Sequence, residues 1–373
     1  MKILFEPQIF NSQKYGGISR YYSEIYKGLV NFQDADVELP LLLSDNYHIK
    51  DVIENQKKEL VIVKVLSYFH FFKKKFARKK VRKNNKLVNE TFKKNNYDLL
   101  IPTYYNPYFL ELNNGKPFVL TVYDMIHEIF PDYFDKNDKT SEWKKTLIPK
   151  ASRIIAVSNN TKKDILKFFP TINPEKIHVV YHGHSSNLNK KNVDFLPDNY
   201  ILFVGNRQHY KNSNFYINAI HTILLENESL IGFFAGGNPF NREEIELFTN
   251  LGIQNKVIQY NFEDSELDTI YENAKCFIFP SQYEGFGIPV LESMANNCPI
   301  ILPYHSSFPE VAGEAGIFYN VNDGKDLTRK INQVLIDNTF RQKHIDLGKL
   351  QVAKFTWEKA TKECFEVYKK AIN

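Results

Sequence analysis

The amino-acid sequence predicts an α/β protein made of two parallel-sheet domains that face a central cleft. Short β-rich runs alternate with amphipathic stretches of helix length over almost the whole chain, which is typical of parallel sheets. The 373 residues exceed what one ordinary domain needs. A polar stretch at 184–199, rich in Ser and Asn, interrupts the alternation, which then restarts, so we expect a linker there.

The strands of the first half are predicted from short runs of β-branched, aromatic and other apolar residues. They cover residues 2–6, 37–43, 60–65, 99–102, 118–122, 153–157 and 178–181. Amphipathic segments of helix length lie between many of them, such as 18–30 and 161–168.

The same alternation continues in the second half, where Asn241 followed by Glu244 forms a capping-box pattern and Pro289 suits the first turn of a helix. Strands are predicted at 200–204, 230–235, 257–260, 276–280 and 299–302, and helices at 212–225, 242–250, 265–274 and 288–296. We therefore expect domains at 1–185 and 186–355. A final amphipathic helix at 356–373 should pack back on the first domain.

Composition excludes several other classes of protein. The chain is 43% hydrophobic and 24% charged, which excludes a disordered or collagen-like protein. The three cysteines, Cys276, Cys298 and Cys364, are too few for a disulfide framework and fit a reducing compartment. No apolar run reaches the roughly 18 residues of a membrane span. Because Glu6 and Pro7 interrupt the first apolar run, we expect a buried strand there and a cytoplasmic protein, either free or held on a membrane surface.

The positive charge is concentrated in one segment. Residues 73–94 hold eleven Lys or Arg residues and one acid, Glu90, in a chain whose net charge is only +5. Helical spacing places Phe69, Phe72 and Phe76 on one face. Basic residues beside aromatic rings suit an anionic membrane surface, and a solvated basic helix whose Phe stripe belongs to the core is the alternative. One basic segment without a recognisable module argues against nucleic-acid binding.

The most informative segment for chemistry is 280–292, PSQYEGFGIPVLE. A buried strand runs into a loop with Gly285 and Gly287 and then directly into a helix, where backbone N–H groups and the helix dipole favour phosphate. Glu284 and Glu292 flank this loop, and carboxylates accept hydrogen bonds from sugar and ribose hydroxyls. The segment predicts a ligand with a phosphate between two hydroxyl-bearing groups. A plain strand-to-helix turn is the alternative.

A second candidate follows the first strand of the second domain. The strand ends at Gly205, and Arg207 and Lys211 lie on the loop before the next helix, at the sheet edge where α/β proteins bind ligands. Both cations are predicted to point into the cleft and to pair with a diphosphate through charge-assisted hydrogen bonds. Two cations on the surface are the alternative. The loop matches neither a Walker loop nor G-x-G-x-x-G.

The first domain contributes candidates to the same cleft. Gly16 and Gly17 form a glycine loop that opens a helix, which suits a phosphate or sugar contact or a structural turn. Asp124 and His127 follow another strand, and His127 is a candidate hydrogen-bond partner or proton shuttle. No H-E-x-x-H, C-x-x-C or G-x-S-x-G pattern occurs, so we expect no metal and no cofactor.

Together these segments resemble the retaining nucleotide-sugar glycosyltransferases of family 4, which have the GT-B fold of two Rossmann-like domains. The strongest match is the segment from Glu284 to Glu292, which is similar to the E-x7-E motif of that family. Supporting matches are Gly16-Gly17-Ile18, VSNNT at 157–161, FVGNRQHYKN at 203–212 and FPEVAGEAG at 308–316. The resemblance covers nearly the full length of the chain.

The resemblance implies roles for the matched residues. Arg207 and Lys211 would neutralise the donor diphosphate, Glu284 would hold hydroxyls of the transferred sugar, and Glu292 would take the ribose hydroxyls. The remaining donor contacts would come from Gly16, Gly17, Gly205, Gly285, Phe286, Gly287 and Ile288.

On the acceptor side the resemblance implies that Arg20, Asp124 and His127 bind the acceptor. Many family members carry His-Asp where this chain has Tyr123-Asp124. His127, three residues later, is the candidate replacement for that imidazole.

The implied reaction is a metal-independent transfer with retention. Negative charge grows on the leaving diphosphate, and the cations and the helix start would stabilise it. No pair of carboxylates at the roughly 5 Å separation that a covalent intermediate needs is evident. The resemblance therefore implies attack from the front face, with the donor phosphate helping to deprotonate the acceptor.

The chain also resembles mannosyltransferases of bacterial O-antigen and capsule pathways. It implies GDP-mannose as the first candidate donor, with UDP-sugars next. It also implies a glycan or lipid-linked oligosaccharide acceptor at the inner face of the cytoplasmic membrane. A nucleotide-sugar epimerase and a non-catalytic sugar-nucleotide-binding subunit are the alternatives on the same fold.

Overall fold

The architecture is that of a computed structural model, which describes residues 1–53, 73–184, 190–193, 195–207 and 209–373, without the side chains of 73–81. The predicted strand at 60–65 and the side chains of Phe69, Phe72 and Phe76 lie outside that part of the chain. Two α/β domains, each built on parallel strands, confirm the predicted fold class. Within the described residues, no helix combines the length and the apolar character of a membrane span.

In its described residues, the first domain contains six parallel strands. They are β1 (Lys2–Glu6), β2 (Asp36–Glu38), β3 (Leu99–Pro102), β4 (Val119–Val122), β5 (Arg153–Ala156) and β6 (Ile177–Val179). Their order is β2-β1-β3 and β4-β5-β6, and a parallel bridge between Leu100 and Phe118 joins the two groups. Strands β3 and β4 are buried on both faces, which explains why they are continuously apolar.

Helices cover this sheet. They are α1 (Gln8–Ser12), α2 (Gly17–Leu29), α3 (Lys73–Lys94), α4 (Ile126–Ile129), α5 (Thr140–Leu147) and α6 (Asn159–Phe168). Helix α2 buries Tyr21, Tyr22 and Ile25 along one face, and the Tyr22 ring meets Phe5 of β1 edge-on. Helix α6 begins after Ser158, whose side chain accepts the Thr161 N–H as an N-cap.

The described part of the second domain is built on one parallel sheet of six strands. They are β7 (Tyr200–Val204), β8 (Ile231–Ala235), β9 (Val257–Tyr260), β10 (Cys276–Ile278), β11 (Ile300–Pro303) and β12 (Ile317–Tyr319). The order is β12-β11-β10-β7-β8-β9. Strand order reverses between β7 and β10, and a crevice for ligands opens at such a switch point.

The helices of this domain are α7 (Ser213–Glu226), α8 (Arg242–Asn250), α9 (Leu267–Asn273), α10 (Ile288–Ala295), α11 (Phe308–Ala312), α12 (Gly324–Ile336) and α13 (Asn338–Val352). The capping box of Asn241 and Glu244 is present at the start of α8, and Pro289 lies in the first turn of α10. Both predictions are confirmed.

The last helix, α14 (Trp357–Ile372), lies against the first domain. The Tyr21 hydroxyl of α2 is 3.3 Å from the Cys364 sulfur, and Thr361 packs where Gly28 has no side chain. A parallel β-bridge between His184 and Thr356 brings together the two segments in which the chain passes from one domain to the other. The C-terminal helix thus joins the two domains.

Some predicted elements differ from the structure. The predicted strand at 37–43 ends at Glu38, because Pro40 has no N–H to donate to a ladder. Among the described strands and α-helices, those not predicted are strand β12 and helices α1, α4, α5, α11, α12 and α13. Strand β12 has only three residues, too few for an alternating pattern to stand out.

Candidate active site

The carboxyl ends of the two sheets meet, and a glycine makes the approach possible. Gly285, after β10, packs against the end of β4, where a Cβ on it would lie 2.8 Å from the Tyr123 carbonyl carbon and 3.0 Å from the Asp124 Cβ. A Cβ on Gly17 would lie 3.2 Å from Ile288 Cδ1. The predicted glycine loops of the two domains therefore face each other.

Lys211 and Glu284 form an ion pair at the switch point of the second sheet. Lys211 Nζ donates to Glu284 Oε1 at 2.6 Å, and both side chains are largely buried. Lys211 follows β7 and Glu284 follows β10, which are neighbouring strands. Burial lowers the pKa of Lys211, but Glu284, together with Tyr210 and Asp124, outweighs this effect, so the pKa lies above its ordinary value. A permanent ammonium at this position is suited to a phosphate.

Two serines fix the glycine loop beside this pair. Ser306 Oγ and Ser307 Oγ donate to the Glu284 carbonyl at 2.7 and 2.9 Å, and Ser307 Oγ also lies 3.0 Å from the Phe286 carbonyl. Gly287, with φ of +92°, then turns the chain into α10. Sequence reasoning missed both serines because they follow β11 and belong to no motif that includes Glu284.

Glu292 contacts the other domain directly. Its Oε1 accepts from Arg20 Nη1 at 3.0 Å, and its Oε2 accepts from the Tyr271 hydroxyl at 3.4 Å. Burial raises the pKa of Glu292, and the Arg20 charge opposes that rise. Glu292, predicted to bind the ribose, and Arg20, predicted to bind the acceptor, thus form an ion pair. The sequence did not reveal this pairing.

Arg207 has a different environment from Lys211. Its guanidinium is buried, with Nε donating to Glu244 Oε1 at 2.6 Å and Nη2 donating to the Asn238 carbonyl at 2.6 Å. The group also lies over the Phe240 ring. No hydrogen bond or ion pair in the described part of the chain joins it to Lys211 or Glu284. Glu244 and backbone carbonyls take the Arg207 donors, whereas Glu284 holds Lys211, so the two cations have different partners in this structure. That both cations point into the cleft and pair with the donor diphosphate stays a prediction.

Asp124 lies on a loop held by a fully buried lysine. Lys144 Nζ donates to the Asp124 carbonyl at 2.9 Å and to Glu128 Oε2 at 3.0 Å, and it lies 3.4 Å from Asp124 Oδ1. The Tyr105 hydroxyl accepts the Tyr123 N–H at 3.0 Å. Lys144 was not predicted, because nothing in the sequence distinguishes it from the other lysines of its helix.

His127 turns away from the position of the missing imidazole. Its Nε2 is 3.5 Å from Asp138 Oδ2, and its ring stacks on Phe134 at 3.8 Å between centroids. Burial, together with Lys144, lowers the pKa of His127 below its ordinary value. The imidazole beside Tyr123 is instead that of His182, whose pKa burial lowers to about 3.

Two further predicted motifs meet at the domain interface. Glu310, within the segment 308–316, accepts the backbone N–H groups of Asn159 and Asn160 at 2.9 Å each, at the start of α6. Thr161 Oγ1 lies 3.1 Å from the Gly285 carbonyl. These motifs therefore hold the glycine loop of the second domain against the first domain.

The residues brought together are those of a site for an anionic, hydroxyl-bearing ligand. A buried ammonium, its carboxylate partner and a glycine-lined helix start lie together at the switch point, and a second carboxylate, that of Glu292, lies in the helix that follows. Among the described residues, no three His, Cys, Asp or Glu side chains are grouped in a way that would hold a metal ion.

Two family models match adjacent parts of the chain. The model described as glycosyltransferase family 4 matches residues 15–187, and the model described as glycosyl transferases group 1 matches residues 185–351. Together they span both domains and the predicted motifs.

Curated relatives are similar at modest identity. The chain is 26% identical to the O-antigen chain mannosyltransferase B of Escherichia coli, over 72% of this chain and 73% of that protein. It is 27% identical to the O-antigen chain mannosyltransferase RfbU of Salmonella typhimurium, over 58% of this chain and 60% of that protein. It is 24% identical to the alpha-maltose-1-phosphate synthase of Mycolicibacterium smegmatis, over 69% and 73%.

Solved structures share the fold. Anabaena HepE in complex with UDP and glucose superposes with a TM-score of 0.68 at 16% identity, covering 98% of both chains. Sucrose-phosphate synthase from Thermosynechococcus elongatus superposes with a TM-score of 0.70 at 17% identity, covering 99% of this chain and 98% of that chain. The predicted GT-B architecture is confirmed.

Proposed function

Because the chain belongs to the glycosyltransferases, with a family 4 domain followed by a group 1 domain, we propose that it is a retaining hexosyltransferase that uses a nucleotide-diphosphate sugar. The observation that carries this proposal is the Lys211–Glu284 pair at the switch point, facing Asp124 across the cleft. The first candidate donor is GDP-mannose, because two relatives are named mannosyltransferases. UDP-sugars are the next candidates, because HepE was solved with UDP.

In this proposal the donor lies along the start of α10. Lys211 pairs with the diphosphate, and the N–H groups after Gly287 add to the positive potential there. Glu284, released from Lys211, accepts hydroxyls of the transferred sugar, and Glu292 accepts the ribose hydroxyls in place of Arg20.

Arg207 takes a positioning role in this scheme. Its carbonyl accepts the hydroxyl of Ser213, and its guanidinium joins Gly236–Pro239 and Glu244. The loop from Gly205 to Asn212, which carries Lys211, is thereby fixed to β8 and α8. Arg207 supports the diphosphate site through Lys211 rather than by direct contact.

We propose transfer with retention and without a metal. As the anomeric C–O bond breaks, the electron pair goes to the diphosphate oxygen, where the Lys211 charge stabilises it. The acceptor hydroxyl attacks from the same face and passes its proton to that phosphate. Exclusion of water by the contact between Gly285 and Tyr123 limits donor hydrolysis.

The proposed acceptor is a glycan or lipid-linked oligosaccharide of a surface polysaccharide. It would reach the donor from the first domain, beside Asp124 and His127, whose loop Lys144 holds in place. Helix α3, with its basic residues, is the proposed contact with the anionic inner face of the cytoplasmic membrane. Sedimentation with vesicles tests this contact, and equal binding to neutral and anionic vesicles would contradict it.

A product assay tests the function. The purified protein is incubated with GDP-mannose or UDP-glucose, with and without an α-mannoside acceptor, in the presence of EDTA. We expect an α-linked product that forms only with acceptor and is lost in Glu284→Gln. Conversion of the donor sugar without acceptor would instead indicate an epimerase, and the absence of any turnover would indicate a non-catalytic binding subunit.

A further inference from the structure

A second polar pocket opens beside the candidate active site. It has a volume of about 630 Å³ and lies between Tyr133 of the first domain, the turn from His209 to Asn214, and the start of α8. Pockets of roughly 300–1,000 Å³ are the usual size for small-molecule sites. Neither the donor nor the reacting acceptor hydroxyl has been placed in it.

The pocket adjoins the reaction centre on both sides of the cleft. Tyr133 follows the loop of Asp124 and His127, and its hydroxyl donates to Gln282 Oε1 at 3.2 Å. Gln282 lies two residues before Glu284, and its N–H donates to the Tyr210 carbonyl beside Lys211. A ligand in the pocket would therefore extend directly from an acceptor bound at the cleft.

The lining suits an uncharged, hydroxyl-rich ligand. The Tyr133 ring stacks with Phe130 at 5.3 Å and with His209 at 5.4 Å between centroids, and the Tyr133 and His209 rings form one wall of the pocket. Side chains of Asn212, Asn214 and Gln282 offer amide donors and acceptors, and Glu243 offers a carboxylate acceptor.

The charge of the lining argues against a phosphate in this pocket. Glu244 neutralises Arg207, which belongs to this lining. Backbone carbonyls accept hydrogen bonds from the Arg207 guanidinium. Glu243 adds a negative charge at the exposed rim. The N-terminus of α8 is also occupied, because Asn241 and Glu244 cap each other. The remaining polar groups match sugar hydroxyls.

We propose that this pocket is a second acceptor subsite, which binds a sugar unit of the acceptor glycan next to the one that receives the transferred sugar. The inference rests on the proposed function. It adds that the protein recognises a second sugar unit of the acceptor glycan. The rings of Tyr133 and His209 form the aromatic wall of the subsite, and Asn214 and Glu243 hold the hydroxyls of that unit.

Acceptor length tests the subsite. Transfer is measured from the nucleotide sugar that binds best to p-nitrophenyl glycosides of α-mannose and of α-mannotriose. For the wild type we expect the acceptor KM to fall about tenfold from the monosaccharide to the trisaccharide. Tyr133→Ala and Glu243→Gln should abolish this fall while leaving the monosaccharide KM and the donor KM within about twofold.

Matched variants separate recognition from folding. Glu246→Gln changes an exposed glutamate on the same helix that does not line the pocket, and it should keep the wild-type fall in KM. Tyr133→Phe keeps the ring but loses the bond to Gln282, and it should keep most of the fall. If the wild type has equal KM values for the two acceptors, the subsite alone is overturned. The same holds if Tyr133→Ala raises the KM for both acceptors equally. Failure to transfer to either glycoside would overturn the proposed acceptor class, and the subsite with it.

Discussion

Gly285 of the second domain lies against the Tyr123 carbonyl of the first domain so closely that no side chain fits between them. The φ angle of Gly285 is not in the left-handed region, so the requirement comes from this approach rather than from backbone conformation. The position of the glycine loop therefore depends on contact between the two domains.

Gly285→Ala should push the loop away from Tyr123 and lower transfer by about 100-fold, since displacements near 1 Å cost this much in well-oriented sites. Each domain should stay folded, as measured by circular dichroism. Gly324→Ala is the control, because a Cβ there makes only ordinary contacts, at 3.8 Å. Unchanged activity in Gly285→Ala would show that this contact does not matter for the reaction.

The Arg20–Glu292 pair should respond to nucleotide. If ribose hydroxyls replace Arg20 on Glu292, the two side chains are coupled only in the free protein. A double-mutant cycle with Arg20→Gln and Glu292→Gln, measured by unfolding, should give a coupling of about 1 kcal/mol or more without nucleotide. With saturating nucleoside diphosphate the coupling should fall towards zero. A coupling that nucleotide leaves unchanged would place the ribose elsewhere.

Arg207 should contribute more to the free energy of unfolding than to the binding of a nucleotide in the cleft. Arg207→Met leaves Glu244 buried without its partner, and breaking such a pair costs about 3–5 kcal/mol of the free energy of unfolding. The exposed pair of Arg242 and Glu246 on the same helix provides the control, because Arg242→Ala should cost less than about 1 kcal/mol. Wild-type stability with weakened nucleotide binding in Arg207→Met would restore the diphosphate contact that the sequence predicts.

Glu6 should make the protein less stable as pH rises. The side chain is buried at the end of β1, where its Oε1 accepts the Tyr108 hydroxyl at 2.5 Å, and burial raises its pKa to about 7. Between the ordinary value of 4.5 and 7, the folded protein holds a proton that the unfolded chain releases. Unfolding is therefore favoured as pH rises through this window, and about 3 kcal/mol of stability is lost.

Glu6→Gln should remove that loss. Denaturant unfolding at pH 5 and pH 8 should show a smaller difference for Glu6→Gln than for the wild type. Glu226→Gln, an exposed control, should behave like the wild type. An equal pH dependence in all three proteins would show that Glu6 keeps its ordinary pKa.

Much of the fold and part of the site could be predicted from the sequence. Gly285, Gly287 and the two glutamates are close along the chain, so a strand, loop and helix pattern reveals them. The contact of Lys211 with Glu284 was not predicted, because it joins residues 73 positions apart. Arg207 with Glu244, Lys144 under Asp124, and Arg20 with Glu292 are likewise contacts between elements, and no local periodicity encodes them. His127 was a reasonable candidate for the imidazole that is absent at Tyr123, because the two residues are close in the sequence. The helical turn at 126–129 instead directs its side chain to Asp138.

The central claim is that Lys211 and Glu284 form the donor diphosphate and sugar site. The most direct test is a calorimetric titration of the wild type and Lys211→Met with GDP, UDP, ADP and dTDP in EDTA. We expect one nucleotide to bind the wild type with a micromolar Kd and to bind Lys211→Met at least about 30-fold more weakly, as loss of a charged hydrogen bond implies. Binding that Lys211→Met leaves unchanged, or no binding of any nucleotide to the wild type, would contradict the account.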